Sequence, residues 1–217
     1  MKPKAILFDL DGTLIDTEIL YQKAWKEAAR ILGFPLSEQE CLALRSLDRR
    51  FADIEFAKRF NDEEAGPKLR AKRDELMGDY LVSPKPGAKE LALFLKEKGI
   101  PFCVCSASSR ETIKRNLAKA RLDRYFQTLF SAKEVPHGKP FPDVYVAACK
   151  SLGVSPGEAI AVEDAPNGFK SALAAGLSVV YAVDLTEPDS FIEEHAYKIV
   201  HRLDEIIPFL ESEPETI

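Results

Sequence analysis

Ile6-Leu7-Phe8-Asp9-Leu10-Asp11-Gly12-Thr13-Leu14 is the stretch whose reading decides the fold. Ala5 to Phe8 is an unbroken apolar run, the pattern of a short strand buried on both faces of a sheet. The run stops at two acids one residue apart, followed by Gly12 and Thr13. In extended chain, residues i and i+2 point the same way, so Asp9 and Asp11 converge on one small volume at the strand's carboxyl end. That end is where open α/β sheets bind their ligands. Two carboxylates held so close repel, which invites a divalent cation, a shared proton, or both. Gly12 lets the chain turn sharply off the strand.

Outward from this stretch the pattern changes period. From Thr17 to Leu32 the apolar residues Leu20, Ala24, Ala28 and Leu32 recur at helical spacing, and Gly33 closes the run. Ser37 with Glu40 forms a capping-box pattern that starts a second helix. An amphipathic stretch containing Phe51 and Ile54 follows, then a helix from about Asp62 to Tyr80. No strand-like run interrupts residues 16–83, so they are expected to form a helical insert. Ser83-Pro84-Lys85-Pro86-Gly87 carries two prolines and a glycine and serves as the return linker.

Beyond the linker, helix and strand alternate. Helices are expected at Ala88–Lys98, Ser109–Ala120, Pro142–Leu152 and Asn167–Ala175. Strands are expected at Ile100–Cys105, Thr128–Phe130, Ala159–Val162 and Ser178–Val183. This βαβα order predicts an α/β fold, a Rossmann-like doubly wound parallel sheet with helices on both faces. The sheet domain is assigned residues 1–15 and 84–217, and the inserted all-helical cap residues 16–83. The acidic tail from Glu211 to Ile217 is expected to fray.

The 217 residues suit one sizeable domain or a core with a modest insert. A net charge of −5 argues against a nucleic-acid partner. No apolar run is long enough to cross a bilayer, and Met1-Lys2-Pro3-Lys4 leads into the first strand without a signal-like segment. The four cysteines lack any CxxC spacing; Cys103 and Cys105 fall in a strand-like run and are expected to be buried thiols, and the chain is expected to be reduced and cytoplasmic. His137, His195 and His201 have no ligand-like spacing, and Trp25 and Tyr21 are expected to pack within the insert.

Four stretches in this order carry a resemblance. Phe8-Asp9-Leu10-Asp11-Gly12-Thr13, Ser106 after Phe102-Cys103-Val104-Cys105, Gly138-Lys139-Pro140, and Val162-Glu163-Asp164 together resemble the four motifs of the haloacid dehalogenase-like superfamily of phosphotransferases. The Lys-Pro-x-Pro-Asp and Glu-Asp-x-x-x-Gly forms are similar to its phosphatase and β-phosphoglucomutase branch. The resemblance implies that Asp9 is the nucleophile, forming an aspartyl-phosphate, and that Asp11 is the general acid/base. It implies that Ser106, the Ala107 amide and Lys139 hold the phosphoryl group. It further implies a Mg²⁺ ion ligated by Asp164, a carboxylate oxygen of Asp9 and the backbone carbonyl of Asp11, with Glu163 contributing directly or through water. A cap that closes over the site is also part of that pattern. Thr13 is expected to order the turn, and Asp143 to cap the helix that follows it.

The expected activity is Mg²⁺-dependent hydrolysis of a small phosphorylated metabolite, a sugar phosphate in particular, by a monomer with no nucleic-acid or membrane partner. The runner-up is a phosphomutase of the β-phosphoglucomutase kind. In that branch a cap-side His near the first cap helix engages the acid/base, and Tyr21 stands in its place here. Thr17 matches the mutase pattern and Arg49 stands where a cap Arg could grip a distal phosphate. Arg45, Arg50, Lys72 and Arg73 are further candidates for a distal anion. Retention of Asp9, Asp11, Lys139 and Asp164 speaks against a non-catalytic regulator on the same fold. The second acid, Asp11, disfavours dehalogenation.

Overall fold

The computed structural model describes residues 3–43 and 49–212. The chain divides into two compact units, residues 1–16 with 82–217 and residues 17–81. Strand β1 (Ala5–Phe8) opens the first unit. The second unit is then built from α1 (Glu18–Leu32), α2 (Glu38–Ala43), α3 (Arg49–Phe60) and α4 (Ala65–Asp79). Helix α1 buries Ala24, Trp25, Ala28 and Ala29, one face at helical spacing. It ends at Gly33, whose φ of 70° is a conformation that costs glycine little. The expected capping box is present ahead of α2: Glu40 N–H donates to Ser37 Oγ, and Ser37 N–H to the Glu40 carboxylate. Trp25, Ala28, Phe56, Ala65 and Leu69 form the core of this unit, with the Trp25 and Phe56 rings 6.5 Å apart. Trp25 is thus a packing residue, as its spacing suggested.

The chain re-enters the first unit beside the stretch by which it left. Asp16 N–H donates to Ser83 O, and Lys85 N–H to Leu14 O. After this come α5 (Ala88–Glu97), β2 (Phe102–Ser106), α6 (Arg110–Lys119), β3 (Leu129–Ser131), α7 (Asp143–Leu152), β4 (Ala159–Glu163), α8 (Pro166–Ala174), β5 (Ser178–Ala182), α9 (Ser190–His195), β6 (Lys198–Val200) and α10 (Ile206–Ser212). The strands form one parallel sheet in the order β3-β2-β1-β4-β5-β6. The expected α/β, Rossmann-like parallel fold is therefore what the chain adopts. The order reverses on either side of β1, which makes the carboxyl end of β1 the topological switch point.

Alternation along β1 sets the two faces of the sheet. Ala5 and Leu7 join a core with Cys103, Ala161, Val179, and Val144 and Tyr145 of α7. Phe8 meets the rings of Phe102 and Phe126 edge-on, at 6.4 and 5.6 Å between centroids. Removing the Phe8 ring would cost about 3–5 kcal/mol, because the sheet cannot collapse into the space left behind. All four cysteines are free and buried, Cys103 and Cys105 as expected. Among the described residues no helix is long and apolar enough to cross a membrane.

Several expectations end differently. The sequence reading stops at Val183, whereas α9, β6 and α10 follow, and the acidic end of the chain is helical through Ser212. Residues 213–217 lie outside the described residues, as does Arg45. Strand β6 escaped notice because it is a three-residue edge strand, too short for any period to show. Asp143 does not cap α7. It is the first residue of that helix, and its Oδ1 accepts the His137 backbone N–H at 3.2 Å.

Candidate active site

The site is built at the carboxyl ends of β1, β2 and β4. Asp9 leaves β1 with its backbone N–H donated to Val162 O of β4 at 2.9 Å, which fixes where its side chain starts. The turn after it is tight: Leu14 N–H returns to Leu10 O, and Gly12 N–H to Ile15 O, both at 2.9 Å. Gly12 sits at φ +90°, and a Cβ there would collide with Asp164 Oδ2. A glycine is therefore needed twice over, for the backbone and for the carboxylate lying against it. Thr13 Oγ1 donates to Asp164 Oδ1 at 3.1 Å, so the residue expected only to order its turn also ties the β1 loop to the end of β4.

Lys139 reaches into this edge with its side chain only 7% exposed. Its Nζ donates to Asp9 Oδ1 at 2.6 Å, to Glu163 Oε1 at 2.7 Å and to Cys105 O at 2.8 Å, which satisfies all three ammonium hydrogens. Burial by itself would pull the ammonium's pKa down. The charges of Asp9 and Glu163 outweigh it and hold the group well above the ordinary lysine range, so Lys139 stays cationic. Glu163 is itself 99% shielded from solvent. Burial pushes its carboxyl up to about 7, against the opposing pull of Lys139. The Tyr145 hydroxyl of α7 donates to the same Glu163 oxygen. Gly168 leaves the space in which that carboxylate lies, since a Cβ there would overlap it.

Asp9, Glu163 and Asp164 bring carboxylate oxygens within 4.8 Å of one another, all three residues being buried. One lysine offsets only part of that charge. Three hard oxygen donors from buried acids, close enough to share one centre, fit a Mg²⁺-type divalent cation.

Ser106 ends β2 and is buried, with its Oγ accepting the Ser108 N–H at 3.0 Å. Ala107 follows it and is exposed. Ser109 is the N-cap of α6, accepting the Thr112 N–H. Ser108 does something else: its Oγ donates to Asp11 Oδ2 at 3.0 Å, and its own carbonyl is held by Ser131 Oγ at 2.7 Å. Asp9, Asp11, Ser106, Lys139, Glu163 and Asp164 thus gather at one sheet edge. Thr17 and Arg49 belong to the helical unit. Thr17 is buried just ahead of α1, and the Arg49 and Arg50 side chains lie outside the described residues. Lys72 pairs with Glu75. Arg73 pairs with Asp74 and lies over the rings of Tyr21 and Trp25 at 5.5 and 4.8 Å.

Ser108 and Tyr145 are the residues that sequence reading missed. Three serines within four residues after a strand read equally well as caps, and a tyrosine on an amphipathic helix reads as core. A polar tip on an otherwise apolar helix face was the one available hint for Tyr145.

A parallel sheet with its acids, its serine turn and a buried lysine at the switch point defines an α/β enzyme that works on an anionic group. The profile of the haloacid dehalogenase-like hydrolases matches residues 3–176, and the chain belongs to that family. It is similar to the phosphorylated carbohydrates phosphatase of Thermotoga maritima, 27% identical over 91% of this chain and 94% of that protein. It is also similar to hexitol phosphatase A of Escherichia coli, 31% identical over 83% of each. A solved structure from T. maritima described as a putative β-phosphoglucomutase superposes with a TM-score of 0.78, covering 95% of this chain and 98% of that one at 24% identity. Within the family, the chain is a phosphoric monoester hydrolase.

Proposed function

We propose that this enzyme hydrolyses a small sugar phosphate through an aspartyl-phosphate, with Mg²⁺ as its cofactor. The observation that carries the reading is the convergence of Lys139, Glu163 and Asp164 on Asp9. Asp9, Glu163 and Asp164 would hold the ion with the Asp11 carbonyl, and the ion would neutralise charge on the phosphoryl oxygens. A carboxylate flanked by a cation is held ionised, as a nucleophile must be. An Asp9 oxygen attacks phosphorus, the ester P–O bond breaks, and the leaving alkoxide takes a proton from Asp11. Asp11 then takes a proton from water. The oxygen of that water attacks phosphorus, and the acyl-phosphate bond breaks to release inorganic phosphate and restore Asp9. Ser108 orients Asp11 for both proton transfers. Ser106 and the Ala107 amide hold the phosphoryl group, and the charge of Lys139 offsets part of its negative charge. The relatives named as carbohydrate and hexitol phosphatases support a polyol or sugar ester as substrate.

The second reading, a mutase, rests on Thr17 and Arg49 and on the likeness in fold to the T. maritima structure. Hydrolysis is favoured because Tyr21 stands where the mutase branch carries a His. A phenol titrates near pH 10 and cannot switch the acid/base around neutrality. The test is a panel of sugar and polyol phosphates with Mg²⁺, run with β-glucose 1-phosphate and a trace of glucose 1,6-bisphosphate in parallel. Phosphate release that EDTA abolishes, Mg²⁺ restores and Asp9→Asn eliminates is the expected outcome. Fast conversion to glucose 6-phosphate with little phosphate release would assign the mutase instead. Undiminished turnover in Asp9→Asn would remove the covalent route.

A further inference from the structure

A fifth acid stands at this sheet edge, and neither the motifs nor the roles above use it. Asp184 lies two residues past the end of β5, and β5 pairs with β4 in the register Glu163↔Tyr181. Its side chain is only 5% exposed. One oxygen, Oδ1, accepts from Lys85 Nζ at 2.7 Å. The other, Oδ2, is buried, and no donor among the described residues reaches it. That oxygen is turned toward the catalytic edge. A Cβ built on Gly12 would meet Asp164 Oδ2 first and Asp184 Oδ2 next, at 3.0 Å, so both acid oxygens crowd one backbone point of the β1 loop.

A buried acceptor without a donor is destabilising, and an ion pair with Lys85 needs only one of the two oxygens. Asp184 is not one of the three carboxylates that share the 4.8 Å cluster. We propose that Asp184 is a positioning residue of the metal centre, its free oxygen accepting hydrogen from the hydration shell of the ion held at Asp164. Lys85 holds the other oxygen of Asp184, and Lys85 is itself placed by the return linker, through its N–H to Leu14 O and with Asp16 Oδ1 3.8 Å from its Nζ. The inference rests on the metal-dependent reading above.

The experiment is Mg²⁺ titration by calorimetry on the full chain and on Asp164→Ala, Asp184→Asn and Lys85→Met, with the metal-free thermal midpoint recorded for each. The two pair-breaking variants separate the proposal from a plain structural strut. Asp184→Asn keeps the volume but turns an acceptor into a donor, so Mg²⁺ should bind about tenfold more weakly. Lys85→Met loses the same ion pair yet removes a positive charge near the cation, so Mg²⁺ should bind as tightly as in the parent or more so. Equal affinity in Asp184→Asn and the parent overturns the proposal, and so does a matched loss in both variants. A parent protein that binds no Mg²⁺, or binds it with no effect of Asp164→Ala, overturns the metal-dependent reading together with this one. Should a variant fail to fold, the Asp184 side-chain carboxyl ¹³C resonance of the unsubstituted protein decides. It should move as Mg²⁺ saturates, and a stationary resonance overturns the proposal.

Discussion

The carboxyl edge of the sheet and the surface of the helical unit use the same ion pairs to opposite ends. At the edge, Lys139 is enclosed with three acceptors on its three hydrogens, two of them carboxylates. On the helical unit, Arg30 pairs with Glu27 at 2.6 Å and Lys58 with Glu55 at 3.4 Å, one turn apart along exposed helix faces. Water and salt screen the second kind, which therefore contributes little and constrains nothing. The first kind is costly to assemble, and removing one member leaves the others charged and out of water. Distance alone does not separate the two regions; solvent does. A buried charge commits the chain to a task, whereas a surface pair leaves the residue free to change.

Lys139→Met is the largest test of that contrast. The stem is kept and the ammonium lost, so Asp9 and Glu163 face each other uncompensated. Metal-free stability in urea should fall by about 3–5 kcal/mol, and phosphate release should drop about 10³-fold or more. A divalent cation should recover part of the stability and little of the activity. An unfolding midpoint equal to the parent's would show that the edge behaves like surface.

Ser108→Ala comes next in size. It removes one hydrogen bond to a charged group, and kcat should fall about tenfold to a hundredfold with KM little changed. Steady-state kinetics check this, and an unaltered kcat would mean that Asp11 is oriented without Ser108. Arg30→Ala is the smallest. Neither kcat nor the urea midpoint should move, and a measurable loss in either would blur the line between the two regions.

Legibility in the sequence followed the same division. Strands β1, β2, β4 and β5 stood out because burial on both faces demands unbroken apolar runs, and the acids that end β1 and β4 interrupt those runs abruptly. Lys139 was legible only through its neighbours Gly138 and Pro140, since a lone lysine carries no signal of burial. Ser108, Tyr145 and Asp184 were not legible. Each gains its meaning from a partner far along the chain: Asp11, Glu163 and Lys85. Helix α9 had a local signal that went unread, as Asp189 accepts the Ile192 N–H in an ordinary N-cap. Asp143 misled because an acid at the start of a helix is more often a cap than the acceptor for a preceding loop.

The register of β1 has a consequence during synthesis. Its two neighbours pair through Phe102 and Ala159, so this wholly apolar strand emerges before both partners and waits longer for them than any other strand of the sheet. At about 5–20 residues per second, the wait for β4 is on the order of ten seconds or more. The helical unit has no such delay, since the core from Trp25 to Leu69 is complete once that stretch has emerged. The nascent chain thus carries an unpaired hydrophobic strand tethered to a segment already able to collapse. Ala5 to Phe8 is consequently a strand whose apolar side chains and backbone stay unpaired for much of translation.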